Sequence, residues 1–188
     1  NSRRRASQSD ASPISDAPQP QCSAACTTRR TGLRVVRPGL LATFQDDGRL
    51  AANMGVTGSG AADMPAAHLA NALVGNPAHA VTIELTNGSA AFQAVGDQVA
   101  AVTGAPVAVT IRPAPNATAT GDAQHAERSN VRQSARSFAI TRQEAFLLRD
   151  GETLEIGAPR AGLRDYVAIA GGFKAPGTLG SSATDTMS

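Results

Sequence analysis

From Ala80 to Arg112 the chain is cut into short segments that alternate in polarity at every second residue: "AVTIELTNG" (80–88), "SAAFQAVG" (89–96), "QVAAVTG" (98–104) and "PVAVTIR" (106–112). Successive side chains on a β-strand point to opposite faces, so a period of two, rich in Val, Thr and Ile, marks half-buried strands. The breaks are Asn-Gly, Gly-Asp and Gly-Ala-Pro, all turn signals. Several short strands at regular spacing point to a barrel or sandwich. Asn87-Gly88, between two alternating runs, is the strongest hairpin signal in the chain.

The pattern extends in both directions. "LRVVRPG", from Leu33, is a strand stopped by Pro38-Gly39, and "LLATFQD" is a second. Further strands are expected in "SFAI" (137–140), "AFLLRDGETLEIG" (145–157) and "LRDYVAIAGG" (163–172). One helix stands out. Asp63 is placed to cap it, Pro65 sits in the first turn, and Gly75 suits a left-handed ending before Asn76-Pro77. Ala66, Leu69, Ala70 and Leu73 fall on one helical face. The expected fold is mainly β with one clear α-helix, short twisted strands curling around that helix.

Composition narrows the class. Aromatic residues are 3% of the 188 and Trp is absent, so the core must be built from Ala, Val, Leu and Ile. A net charge of +2 is too small to argue for nucleic acid. Arg3, Arg4, Arg5, Arg29 and Arg30 all lie in the first thirty residues. No apolar run approaches the roughly 18 residues a membrane span needs, and no segment has the order of a secretory signal. A soluble, cytoplasmic protein is the expectation. Residues 1–31, rich in Ser, Pro, Gln and Arg, read as a disordered tail or linker, and 113–136 as a flexible insertion. Cys22 and Cys26, both in the tail, read as incidental thiols, and His68, His79 and His125 share no metal-binding spacing. No metal site is expected.

The glycine-rich stretch "GVTGSGAAD" invites a nucleotide-binding reading that fails on inspection. Gly58 and Gly60 supply G-x-G, but the third glycine position is Asp63, whose carboxylate would face a pyrophosphate. No Gly-Lys-Ser/Thr exists for a P-loop. Gly58-Ser59-Gly60 is too short for a nucleophile elbow.

Longer stretches carry a resemblance. "RVVRPGLLATFQDDGR", "GVTGSGAADMPAAHLANALVGNP", "AVTGAPVAV" and "GETLEIGAPRAGLRDYVAIAGGF…LGSSATDTMS" together resemble the allophanate hydrolase subunit 2 family. This is also known as the biotin-dependent carboxyltransferase-like family, and it includes the C-type subunit of bacterial 5-oxoprolinase. The likeness covers 33–188 apart from 113–136. Members of the family continue past "TDTMS", so the chain resembles their N-terminal half and an apparently truncated domain. The resemblance implies a cyclophilin-like β-barrel and a B-type partner subunit of similar barrel, with an A-type subunit alongside. It implies ATP-dependent opening of a small cyclic amide, 5-oxoproline, by the complex. The alternatives are carboxyl transfer from biotin to urea, as in urea carboxylase, or a non-enzymatic module that binds and regulates a partner. No cofactor is expected on this chain alone: ATP would act through the complex, biotin only in the alternative.

Several residues could serve a small amide or ureido substrate. Gln45, Asp46 and Arg49 cluster at the end of a strand and are the catalytic candidates. Gln both donates and accepts, and Arg grips a carboxylate in bidentate fashion; the plainer reading is an Asp46–Arg49 pair that fixes the turn. Ser59 and Asp63 could face the same pocket, Asp63 also as the helix cap. Thr103 and Gly104 end a strand, where a bare N–H could meet an oxyanion or simply turn the chain. Alternation sets Arg164 and Tyr166 on one face and Asp165 on the other; Tyr166 is a ligand contact or a half-buried core residue. Ser181, Thr184 and Asp185 follow Gly180 in a polar run that the family likeness makes a candidate site segment. No residue is a convincing nucleophile.

Overall fold

A computed structural model describes residues 31–114, 136–139 and 144–186. The tail expected over 1–31 and the insertion over 113–136 lie outside the described residues except at their ends, and Cys22, Cys26 and His125 lie outside them too. The described strands run in order β1 (Gly32–Arg37), β2 (Leu41–Gln45), β3 (Thr82–Thr86), β4 (Ala90–Val95), β5 (Gln98–Gly104), β6 (Ala108–Arg112), β7 (Arg136–Ala139), β8 (Phe146–Leu148), β9 (Thr153–Ile156) and β10 (Arg164–Ile169). The helix α1 (Met64–Leu73) and a short 3-10 turn (Ala52–Met54) lie between β2 and β3.

The strands form two five-stranded sheets, β1-β4-β9-β6-β7 and β2-β3-β10-β5-β8, with every described pairing antiparallel. Ile83, Leu85, Val102, Leu148 and Val167 of one sheet meet Phe92, Val109, Ile111, Leu154 and Ile156 of the other in a single core. The mainly-β fold with one helix is as expected, and among the described residues Phe92 is the aromatic ring fully buried between the sheets.

Three expectations are corrected. Asn87 and Gly88 both have positive φ, as a tight turn requires, yet β3 and β4 do not pair. β3 lies between β2 and β10, and β4 between β1 and β9. The turn carries the chain from one sheet to the other. Gly88 packs so closely on the Gly157 carbonyl that a Cβ would not fit, and Ser89 N–H donates to that carbonyl at 3.2 Å. Second, "AFLLRDGETLEIG" is two strands in different sheets, broken by a turn in which Glu152 N–H donates to the Arg149 carbonyl at 3.0 Å.

Third, the helix is not wrapped by strands. It lies on the outer face of the second sheet, with Ala61, Ala67 and Ala70 packed on Tyr166 and Ala168, the face opposite Val167. Its fully buried side chains are Ala67, Ala70 and Asn71, a face rotated from the predicted Ala66/Leu69/Ala70/Leu73 stripe. Small alanines let the helix approach the sheet. Asn71 is buried because its amide donates to the carbonyls of Ala78 (3.0 Å) and Ala80 (2.6 Å), tying the helix end to the following loop. Asp63 caps the helix as expected, accepting from Ala66 N–H at 3.1 Å, and Gly75 takes the left-handed ending.

Candidate functional site

The outer face of the second sheet beside the helix N-terminus carries a cleft of about 180 Å³. Its floor comes from alternate residues of three adjacent strands. Thr43 of β2 stands opposite Glu84 of β3, and Glu84 stands opposite Tyr166 of β10. The walls are the 57–62 loop and the 184–186 segment.

Two sequence candidates build the wall rather than the floor. Asp46 accepts from the Gly48 N–H (2.8 Å), the Ser182 N–H (2.7 Å) and the Ser181 hydroxyl (2.6 Å). Burial works to raise its pKa, but the Ser181, Gly48 and Ser182 hydrogen bonds and the Arg49 charge outweigh burial and hold it below the ordinary carboxylate value. Arg49 donates to the Thr178 carbonyl (3.3 Å), the Ser59 hydroxyl (2.8 Å) and the Ala183 carbonyl. No ion pair joins Asp46 to Arg49 among the described residues. Instead, each side chain clasps the 178–183 segment, which the Thr184 N–H joins to the Phe44 carbonyl at 2.7 Å. Ser181 is buried in this clasp.

The polar centre is a residue that sequence reasoning missed. Glu84, 7% exposed, accepts from the Tyr166 hydroxyl and the Ala62 N–H, both at 2.8 Å, and pairs with Arg164 Nε at 3.2 Å. Arg164 also donates through Nη1 to the Thr86 hydroxyl. Its Nη2 has no hydrogen-bond partner among the described residues. The available signal was in "TIELT": alternation places Thr82, Glu84 and Thr86 on one face, a lone carboxylate in mid-strand that needs a buried partner.

Gln45 lines the cleft and is itself buried. Its Nε2 donates to the Thr43 hydroxyl and the Thr184 carbonyl, both at 3.1 Å. Its Oε1 is buried and without a partner. Ser59, Thr184 and Asp185 line the rim, where the Thr57 hydroxyl donates to Asp185. The structure thus brings Gln45, Ser59, Arg164, Thr184 and Asp185 together.

The other candidates lie elsewhere. Tyr166 is fully buried beneath the cleft, and its hydroxyl accepts from the Asp63 N–H at 2.7 Å while donating to Glu84; burial, the first cause, raises its pKa. Thr103 shares that face one strand further on but is covered by the helix, donating to the Ala66 carbonyl at 2.6 Å. Asp63 and Gly104 border a separate, more open cleft of about 370 Å³ on the far side of Arg164. Gly104 is needed there because the Arg164 carbonyl occupies the place of a Cβ. Asp165 faces away from the site, fully buried, neither oxygen partnered, its pKa raised by burial to about 7. His68 meets Asp47 at 2.7 Å at the surface. No cluster of metal-ligating side chains occurs among the described residues, and no helix of theirs is long and apolar enough to cross a membrane.

The cleft has room only for a small molecule. It is below the roughly 300 Å³ at which drug-sized pockets begin. Glu84 and Asp185 beside the one guanidinium oppose a triphosphate, so these residues do not fit ATP.

Comparison with known proteins agrees with this architecture. The C-type subunit of Escherichia coli (strain K12) 5-oxoprolinase is 33% identical over 154 residues, covering 81% of this chain and 42% of that protein. The chain thus spans less than half the length of that relative. Among solved structures, TTHA0988 matches with TM-score 0.65 and 33% identity over 84% of this chain and 27% of that chain. Kluyveromyces lactis urea carboxylase matches with TM-score 0.64 and 28% identity over 81% of this chain and 12% of that chain. The family described as carboxyltransferase domain, subdomain A and B, matches residues 54–188. With that match over most of its length, and a fold shared with the solved relatives, the chain belongs to this carboxyltransferase-domain family.

Proposed function

We propose that this chain works as one subunit of an ATP-dependent amidohydrolase of the 5-oxoprolinase or allophanate hydrolase type, opening a small cyclic amide or ureido substrate. The observation that carries the reading is its 33% identity to the C-type subunit of E. coli 5-oxoprolinase. The cleft is consistent with it: a buried amide, one guanidinium edge and several hydroxyls suit a compact polar molecule. Such a site works by holding the substrate and placing donors where negative charge develops. Catalysis requires a B-type subunit, with an A-type subunit in some complexes, and ATP is bound outside this chain. Asp46 and Arg49 serve by holding the 178–183 wall in place.

A second reading is favoured by the likeness to K. lactis urea carboxylase: a carboxyltransferase domain that passes a carboxyl group from biotin to urea. Co-expression of this chain with a B-type and an A-type subunit, followed by assay of 5-oxoproline and urea with ATP, separates the two. Glutamate formation from 5-oxoproline supports the first. Biotin-dependent carboxylation of urea supports the second. Full activity of this chain alone would contradict the multi-subunit assignment.

A further inference from the structure

Among the described residues the sheets end in four edge strands, β1 and β7 in one sheet, β2 and β8 in the other. An edge strand offers a row of backbone N–H and C=O groups to a further strand. β1 is the longest of the four at six residues. Part of β2 is already engaged, since the Thr184 N–H donates to the Phe44 carbonyl. On β1, no backbone group of residues 33–37 bonds to a described residue outside the β4 ladder, and residues 34–38 are all exposed.

The side chains give this edge a sign and a period. From Thr31 to Gln45 the sequence holds Arg34 and Arg37 and no acidic residue. Arg34 has no hydrogen-bond or ion-pair partner among the described residues, and the Arg37 Nε donates to the Ser89 carbonyl at 2.8 Å. Neither guanidinium meets a carboxylate there. Arg34 stands opposite Gln93, Val35 opposite Phe92 and Arg37 opposite Ala91. Val36 is therefore the extra residue of a bulge, which sets both arginines on one face of the sheet. Val35 lies on the other face, with Leu33, which packs on the core. Val35 is nevertheless 56% exposed, so the second sheet leaves it uncovered.

We propose that β1 is a docking edge for an extended strand of a partner subunit in which carboxylates alternate with apolar residues. The incoming backbone continues the ladder, two carboxylates two residues apart meet Arg34 and Arg37, and the apolar residue between them covers Val35. A second copy fits less well, because apposed β1 strands bring the same arginines together. Arginines, Pro38 and a bulge also guard an edge against indiscriminate pairing. A guard made of positive charge turns away basic strands and admits acidic ones. The inference stands apart from the amidohydrolase reading and needs nothing from the cleft.

The test titrates the full 15N-labelled chain with two eight-residue peptides, one alternating Val and Glu, the other Val and Lys. The acidic peptide is expected to bind at least about tenfold more tightly and to slow amide exchange in residues 33–37. Methylating alternate amides of the peptide, which removes its backbone donors, is expected to abolish binding. Arg34→Glu combined with Arg37→Glu is expected to reverse the preference; both side chains are exposed. The wild-type comparison stands alone should that variant fail to fold. Equal affinities, binding of neither peptide, a preference that survives the double substitution, or protection that falls on β7 or β8 overturns the proposal. So does a chain that dimerises through β1 and excludes the acidic peptide, which would make a second copy the occupant.

Discussion

Asp165 has no partner for either carboxylate oxygen, and it sits on the sheet face that otherwise carries Val167 and Leu85. Burial raises its pKa from 3.8 to about 7. Below about pH 4 the group is neutral folded or unfolded. Between there and about 7 the unfolded chain releases the proton and the folded chain keeps it, so stability falls as pH rises and then levels off. Asp165→Val should therefore stabilise the protein by roughly 3–4 kcal/mol more at pH 8 than at pH 4, read from urea unfolding at the two pH values. A gain independent of pH would refute this. Asp46 has the opposite sign. Its lowered pKa gives stability that is present above the ordinary carboxylate value and lost as pH falls below it.

Arg49 is testable at the same scale. Arg49→Ala removes three hydrogen bonds that hold Thr178, Ser59 and Ala183. Amide exchange at Thr184 should speed up by at least about tenfold, while the circular dichroism spectrum is unchanged. Unaltered exchange would show that the wall does not depend on this clasp. Residue types and faces were legible in the sequence: the Arg164/Tyr166 alternation and the Asp63 cap follow from local geometry. Glu84 was not, because its meaning depends on Tyr166 and Ala62, both far from it in the chain.

Among the elements, the helix shows where local reading stops. Its start and end are written in Asp63, Pro65 and Gly75, since caps act within a turn. Which face it buries is decided by the sheet beneath, and there Ala67 and Asn71 outweigh the leucines. Asp63→Ala should cost about 1 kcal/mol in urea unfolding. Tyr166→Phe leaves the Asp63 N–H without its acceptor and Glu84 without one of its donors. It should cost about 1–3 kcal/mol and weaken ligand binding through Glu84 and Arg164. A loss of stability with unchanged binding would detach Tyr166 from the cleft. The Asn87-Gly88 turn is the matching case for strands. Its backbone geometry is encoded locally, but which strand lies beside β3 is settled by competition among all the strands.

For the whole molecule, β1 is one of the edge strands among the described residues. Its register slips between Val35 and Arg37, and Val35, Val36 and Leu40 are 56%, 57% and 74% exposed. Edge strands with apolar faces invite pairing with other chains. Val36→Lys should lower concentration-dependent association in sedimentation while shifting stability by no more than about 0.5 kcal/mol. Association unchanged by the substitution would clear this edge.

Gln45 and Thr184 meet across 139 positions of chain, and Asp46 reaches Ser182 over almost as many. During translation β2 and β3 leave the ribosome well before the wall, whereas β10 emerges only just ahead of it. The second sheet cannot close until β10 is available to lie between β3 and β5, so the floor of the cleft and its wall form close together in time.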